Sequence, residues 1–245
     1  MGIEVTGAVL SSGADVIAID RLSEAQGIEW EKLQHIANVN NTRLTYYKCD
    51  VADADSTLKL YKDAIAGARH PLRGLVTCAG VSDVGESKTF DLNRAKEFYD
   101  ITTIGTFASA QAAAKIVDEG SVSASFVFIA SMSGYIVNKR IPNTAYACSK
   151  AAVHQLTRNL AAEWGAPKDT PSIRVNSVSP GYIKTPMLFK WLEDKELEKL
   201  WTDESMLGRL SVPEDYCGPI VFLLSEGSRF MTGTDLLVDG GHTRW

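Results

Sequence analysis

Short apolar runs rich in β-branched residues alternate with longer stretches of helical character along this chain, and this alternation restricts the possible folds most strongly. The predicted strands are residues 15–20, 44–50, 74–78, 125–130, 173–179 and 235–238. Strands that are separated by helices form right-handed βαβ crossovers and pair in parallel, with helices on both faces of the sheet. The sequence therefore predicts an α/β fold, a doubly wound parallel sheet in a three-layer sandwich.

The start of the chain departs from the usual order of such a fold. The predicted helices are residues 4–12, 30–39, 56–66, 92–118, 144–164 and 214–224. A dinucleotide-binding sheet begins with a strand and a glycine-rich turn, but this sequence begins with the helix, and Gly2 is the candidate for the last glycine of that turn. The pattern indicates that the first strand and its glycine-rich loop, about 15–20 residues, are missing. We expect six strands instead of seven, with residues 15–20 and 74–78 either facing a gap or closing onto each other.

Composition narrows the class of protein. The 245 residues fit one domain. The net charge of -5 at pH 7 provides no basic field for nucleic acid or an anionic membrane, and the apolar runs are too short to span a bilayer. No basic segment followed by an apolar run begins the sequence, so a cytoplasmic protein is the interpretation. The four cysteines and four histidines lack the spacing of a disulfide framework or a metal site.

Tyr146 and Lys150 are the strongest candidates for chemistry. They are four residues apart, so they share one face of a helix. An ammonium group beside a phenol favours the phenolate and lowers the phenol's pKa, which makes Tyr146 a possible general acid or base. Ser131 follows a strongly apolar strand, at the sheet edge where such folds place their site, and its hydroxyl can hold a substrate oxygen.

Six motifs occur in order along the chain. They are Asp50-Val51, Thr77-Cys78-Ala79-Gly80, Ser131-Met132-Ser133-Gly134, Tyr146-x-x-x-Lys150, the loop of residues 179–185 with the pattern PGxIxT, and Val238-Asp239-Gly240-Gly241. With these motifs the chain resembles the classical short-chain dehydrogenases/reductases over its whole length. The loop after Ser131 is most similar to that of fungal mannitol or sorbose reductases.

The resemblance implies a Rossmann-type oxidoreductase that transfers hydride between NAD or NADP and a secondary alcohol or ketone. Tyr146 would move the proton, Lys150 would lower the pKa of Tyr146 and bind the nicotinamide ribose, and Ser131 would orient the substrate oxygen. The other residues that the motifs assign to the cofactor are Asp50, Val51, Ala79, Gly80, Pro180, Gly181, Ile183 and Thr185. Residues 186–210 correspond to the family's substrate lid, and their aromatic content favours a fairly apolar substrate. The family also implies a homo-oligomer, a dimer or a tetramer.

The choice of cofactor stays open between two adjacent residues. Asp20 ends the second predicted strand of the family pattern, where a carboxylate binds ribose hydroxyls and favours NAD. Arg21 follows directly and can instead pair with the 2′-phosphate of NADP.

Three departures from the family pattern leave the reaction open as well. The glycine-rich loop is missing, Cys78 replaces the asparagine of the NAG turn, and Thr102 stands where the family has its active-site asparagine. A non-redox acid–base enzyme on the same scaffold, or a catalytically silent subunit, are the two alternatives.

Overall fold

All six predicted strands form, and every pairing between them is parallel. The computed structural model describes residues 1–25 and 27–245. The strands β1 to β6 are Val16–Asp20, Leu44–Lys48, Gly74–Thr77, Ala124–Ile129, Ile173–Pro180 and Asp235–Val238. The helices α1 to α9 are Gly2–Ser11, Ile28–Val39, Ala54–Ala66, Leu92–Phe98, Gly105–Gly120, Thr144–Trp164, Pro186–Leu192, Lys195–Asp203 and Cys217–Leu224.

The strands form two sheets instead of one. β1 and β2 pair as the small sheet, and β3, β4, β5 and β6 pair in that order as the large sheet. Residues of β1 and β3 line the same cavity from opposite sides. Over the described residues, β1 pairs only with β2 and β3 only with β4, so the prediction of six strands is confirmed, and of the two predicted arrangements the gap is the one found.

The core lies on both faces of the large sheet. All six residues of β4 are buried, as expected for an inner parallel strand that is covered on both faces. On one face, Phe126 and Phe128 pack with alanines of α5 and with Val153 of α6. On the other face, Val127 and Ile129 pack with Ile220 and Leu223 of α9 and with Val5 of α1.

Helix α1 connects the two sheets through its packing. Val5 belongs to the cluster beneath the large sheet, whereas Leu10, one and a half turns later, packs with Leu33 of α2 and Leu44 of β2. The two ends of one ten-residue helix therefore support different sheets.

The predicted helix over residues 92–118 is not uniform. It is built from α4, a π-helical segment Tyr99–Ile104, and α5. A π-helical segment widens the turn and displaces the side chains that follow it, and such segments occur frequently at functional sites. None of the helices found among the described residues is both long and apolar enough to cross a membrane.

Candidate active site

Ser131, Tyr146 and Lys150 meet at the carboxyl edge of the large sheet. Ser131 lies two residues beyond the end of β4 and caps a one-turn 3-10 helix, Met132–Gly134, where its Oγ accepts a hydrogen bond from the backbone N–H of Ser133 (3.2 Å). Tyr146 and Lys150 lie one turn apart near the start of α6. The structure therefore brings together the three residues that the sequence assigns to catalysis.

Lys150 is buried and bound to the end of β4. Its Nζ donates a hydrogen bond to the carbonyl oxygen of Ile129 (2.7 Å) and lies 5.9 Å from the centre of the Tyr146 ring. Burial lowers the pKa of Lys150 to about 8, and the nearby Cys78 acts in the opposite direction. The amine is still mainly charged at pH 7, but its charge is costly to hold there.

The pKa of Tyr146 is raised above its usual value because burial disfavours the phenolate, and a hydrogen bond with Ser131 acts in the opposite direction. This differs from the expectation that Lys150 lowers the pKa of Tyr146. In this structure burial is the larger influence, so the phenol is protonated at neutral pH, which is the form that donates a proton to a carbonyl oxygen.

A cavity of about 1120 Å³ opens beside these residues. Six of the residues predicted to bind the cofactor line its upper part, at the carboxyl ends of the strands: Asp20, Arg21, Asp50, Val51, Ala79 and Gly80. Gly80 connects the cavity to the predicted catalytic residues, because a Cβ placed on it would lie 3.6 Å from Nζ of Lys150. The lower part continues through the gap between β1 and β3 to Asp15 and His70.

The acidic residues at the cavity mouth are held by local hydrogen bonds. Asp20 Oδ1 accepts from the N–H of Leu22 (3.1 Å), and Asp50 Oδ1 accepts from the N–H of Ala52 (3.0 Å). Val51 packs directly on α5, where a Cβ on Gly105 would lie only 2.8 Å from its Cγ2. This geometry fits an adenosine group, because oriented carboxylates can accept hydrogen bonds from hydroxyls while an apolar wall contacts a base.

The loop with the PGxIxT pattern is placed differently. Pro180 ends β5, the N–H of Gly181 donates to the carbonyl oxygen of Val238 (3.1 Å), Ile183 forms a bridge with Ser211, and Thr185 precedes α7. These four residues are not among the described residues that line the large cavity. The structure therefore places the loop next to β6 but does not join it to the nucleotide candidates.

Tyr182, which lies inside this loop, contacts Trp201, His242 and Asn138, a set of residues that the sequence analysis did not bring together. Tyr182 stacks on Trp201 (4.1 Å between ring centres), meets His242 edge to face (5.2 Å), and its hydroxyl accepts from Nδ2 of Asn138 (3.0 Å). Burial raises the pKa of Tyr182 to about 12. The partners of Tyr182 are distant in the chain, so the sequence contains no sign of these contacts except that Tyr182 lies inside the PGxIxT motif.

The two substituted motif positions are both well packed. Thr102 is buried in the π-helical segment, and its Oγ1 has no hydrogen-bond partner in the structure. Cys78 packs with Val76 and Met1, and burial raises its pKa to about 11, so its thiol is neutral. Cys78 therefore fills this position as a small apolar side chain.

Helices α7 and α8 occupy the region predicted as a lid. Leu197 and Trp201 of α8 are buried against Ile141 and Leu210, while Met187 and Phe189 of α7 are about half exposed. Because Trp201 points into this packing, the aromatic content of the segment does not by itself favour an apolar substrate.

Comparisons with known proteins agree with this geometry. A family model described as enoyl-(acyl carrier protein) reductase matches residues 1–243. The short chain dehydrogenases/reductase notP' of Aspergillus versicolor is 43% identical over 245 residues, which are 100% of this chain and 84% of that protein. The galactitol 2-dehydrogenase (L-tagatose-forming) of Cereibacter sphaeroides is 34% identical over 245 residues, 100% of this chain and 91% of that protein. The crystal structure of a short-chain type dehydrogenase/reductase from Mycobacterium marinum superposes with a TM-score of 0.88 at 32% identity, covering 98% of this chain and 90% of that one.

Proposed function

The chain belongs to the short-chain dehydrogenase/reductase family, and we propose that it is an NAD(P)-dependent oxidoreductase that interconverts a secondary alcohol and a ketone. The observation that supports this proposal most strongly is the meeting of Ser131, Tyr146 and Lys150 beside a cavity lined by the nucleotide candidates. Relatives named as dehydrogenases or reductases of polyols and sugars, such as the galactitol 2-dehydrogenase, support the same class of reaction.

The three side chains have separate roles in this mechanism. Tyr146 gives its proton to the carbonyl oxygen during reduction and takes one from the alcohol during oxidation. Lys150, one turn away, stabilises the phenolate that forms, because a cation close to a developing anion is effective in a buried site. Ser131 donates a hydrogen bond to the substrate oxygen and so holds it next to the phenol.

The cofactor residues divide between the two sheets. Asp20, Arg21, Asp50 and Val51 would hold the adenosine half from the small sheet, and Ala79, Gly80 and Lys150 would hold the other half from the large sheet. Pro180, Gly181, Ile183 and Thr185 remain candidates for the nicotinamide side, and residues 186–210 for a lid over it. The bound dinucleotide supplies or accepts the hydride. One relative is named an NADH-dependent L-xylulose reductase, and one similar solved structure is described with bound NADP.

A second candidate function follows from Thr102, which stands where the family has its active-site asparagine. Its Oγ1 is buried and has no hydrogen-bond partner in the structure, so this position does not supply the amide of the family's redox site. The same Ser131, Tyr146 and Lys150 group could then act as acid and base without a cofactor. Stoichiometric NAD(P)H consumption during turnover excludes this alternative.

The first experiment measures binding of NADH and NADPH by calorimetry and then turnover on panels of ketoses, polyols and cyclic ketones. We expect saturable binding of one or both, with preference for NADH if Asp20 dominates and for NADPH if Arg21 does. Tyr146→Phe should lower kcat by at least about a thousandfold and leave cofactor binding intact, because only the acid–base group is lost. Tyr99→Phe is the matched control, because Tyr99 is part-exposed and is not among the described residues that line the cavity. Full activity of Tyr146→Phe would contradict the assignment.

A further inference from the structure

A buried polar network lies beneath the catalytic loop, and the mechanism above does not use it. His154 is on α6, Ser177 and Ser179 are on β5, and Asp235 begins β6. Asp235 Oδ1 accepts hydrogen bonds from Ser177 Oγ (2.6 Å) and Ser179 Oγ (2.9 Å), and His154 Nε2 lies 2.7 Å from Ser179 Oγ. The exposed fraction of the His154 side chain is 3% and that of Asp235 is 8%. Buried polar groups are costly unless they are paired, so this arrangement requires a compensating function or a complete set of bonds.

The donors in this network determine which nitrogen of His154 carries its proton. A serine hydroxyl has one hydrogen, and Ser179 gives it to the Asp235 carboxylate, which can only accept. The contact between Ser179 and His154 therefore needs Nε2–H as the donor. Burial lowers the pKa of His154 below 6.5, Asp235 acts in the opposite direction, and Arg158 and Lys150 lower it further, so the ring is neutral at pH 7. One tautomer and one ring orientation are fixed.

The other face of the same imidazole supports the loop that carries Ser131. The ring of Tyr135 stacks on it, with 4.0 Å between ring centres and 22° between planes. Gly134 lies so close that a Cβ on it would be 2.7 Å from Cε1 of His154 and 2.9 Å from the backbone nitrogen of Ala151. The loop can approach α6 this closely only because residue 134 has no side chain.

Two hydrogen bonds connect Gly134 and Ser133 to Ser131. The N–H of Gly134 donates to the carbonyl oxygen of Ser131 (3.0 Å), and the N–H of Ser133 donates to Ser131 Oγ (3.2 Å). Any shift of Gly134 therefore moves both the backbone and the hydroxyl of Ser131. A displacement of the order of 1 Å at a reacting group is enough to cost about a hundredfold in rate.

We infer that His154 is a positioning residue: held by Ser179 and Asp235, its imidazole supports Gly134 and Tyr135 and so keeps the Ser131 hydroxyl beside Tyr146. This role rests on the proposed function, because it concerns the geometry of the same three catalytic groups. The residue acts through the loop and does not touch the substrate. The network also ends at Ser179, directly before Pro180 and Gly181, so it ties the catalytic loop to the next loop of the candidate site.

The test compares His154→Ala with His154→Gln, which keeps a donor for Ser179 but lacks the ring. We expect His154→Ala to lower kcat by about 10- to 100-fold with KM changed less than about threefold. His154→Gln should recover part of that loss. Ser179→Ala should act in the same direction, and the double variant His154→Ala with Ser179→Ala should be no slower than the worse single variant, because both changes remove one support. Gln155→Ala, on the exposed side of the same helix, is the matched control.

A readout without turnover separates this inference from the proposed function. Hydrogen exchange at the amides of Ser133 and Gly134 should become at least about tenfold faster in His154→Ala, while exchange in β4 stays unchanged. If the wild-type protein shows no hydride transfer, the proposed function fails and this exchange measurement alone decides the positioning role. The inference is overturned if exchange in the loop does not change, or if His154→Ala keeps its kcat. It is also overturned if the double variant loses the product of the two single losses.

Discussion

At the scale of single residues, Lys150 is also a source of pH-dependent stability. The pKa of Lys150 is about 8 in the folded protein against 10.5 for a free lysine. Between these values the unfolded chain holds a proton that the folded protein does not, so raising the pH favours folding. Below pH 8 both states are protonated and the slope disappears.

We therefore expect the free energy of unfolding to rise between pH 8 and pH 9 by about 1 kcal/mol more in the wild type than in Lys150→Met. Denaturant unfolding at several pH values measures this difference. Lys59→Met, an exposed lysine on α3, should keep the wild-type slope. Equal slopes in the wild type and Lys150→Met would show that the Lys150 ammonium is not destabilised by burial.

The sequence could predict those residues of the site that local spacing brings together. Tyr146 and Lys150 are four residues apart, and Ser131 follows a strand. All three could therefore be assigned to the site without knowing the tertiary structure. His154 and Ser179 are separated by 25 residues, and Ser179 and Asp235 by 56. Pairs of this kind depend on which strands become neighbours, and no single segment carries that information. For the same reason, the sequence could not predict that burial raises the pKa of Tyr146.

At the scale of secondary structure, the strands that border the gap have one paired and one unpaired side. The N–H of Val16 donates to Arg43 and the carbonyl oxygen of Asp20 accepts from Cys49, so the even-numbered residues of β1 face β2. The backbone N–H and C=O groups of successive residues in a strand point to opposite neighbours, so those of Ile17 and Ile19 point into the gap. Next to β3, the carbonyl oxygen of Arg73 accepts a hydrogen bond from the N–H of Ser125. The backbone groups of Leu75 therefore point to β4, and those of Val76 point into the gap.

This geometry predicts a two-residue alternation in hydrogen exchange. The amides of Ile17, Ile19 and Val76 should exchange at least about tenfold faster than those of Ala18 and Leu75. Strand β4, which is paired on both sides, is the internal control and should be protected throughout. Site-resolved exchange by NMR gives the comparison. Uniform protection along β1 would mean that its second edge is paired in solution.

The sequence pattern could predict the strands but not the π-helical segment or the gap between β1 and β3. All six strands were predicted because apolar runs such as residues 125–130 are bounded by polar segments. The π-helical segment could not be predicted, because a change in hydrogen-bond spacing from four to five residues leaves no mark in a run such as residues 92–118. Whether β1 and β3 close onto each other depends on packing against α1, which is a tertiary property.

At the scale of the whole molecule, α1 is one structural support that the two sheets share. Leu10 is fully buried with Leu33, Ala37 and Leu44 beneath the small sheet, whereas Val5 belongs to the separate cluster beneath the large sheet. A two-stranded sheet is marginally stable by itself. The small sheet therefore depends on its docking through Leu10, and the nucleotide candidates Asp20 and Asp50 depend on the small sheet.

Leu10→Ala should therefore destabilise the small sheet selectively. Removing a fully buried leucine side chain costs about 2–5 kcal/mol. We expect hydrogen exchange to accelerate in β1 and β2 and NAD(P)H binding to weaken, while the amides of β4 and β5 keep their protection. Val5→Ala, at the other end of the same helix, is the matched control, and its larger effect should fall on the large sheet. If Leu10→Ala accelerates exchange equally in both sheets, the molecule unfolds as a single cooperative unit, and the gap between β1 and β3 does not divide it energetically.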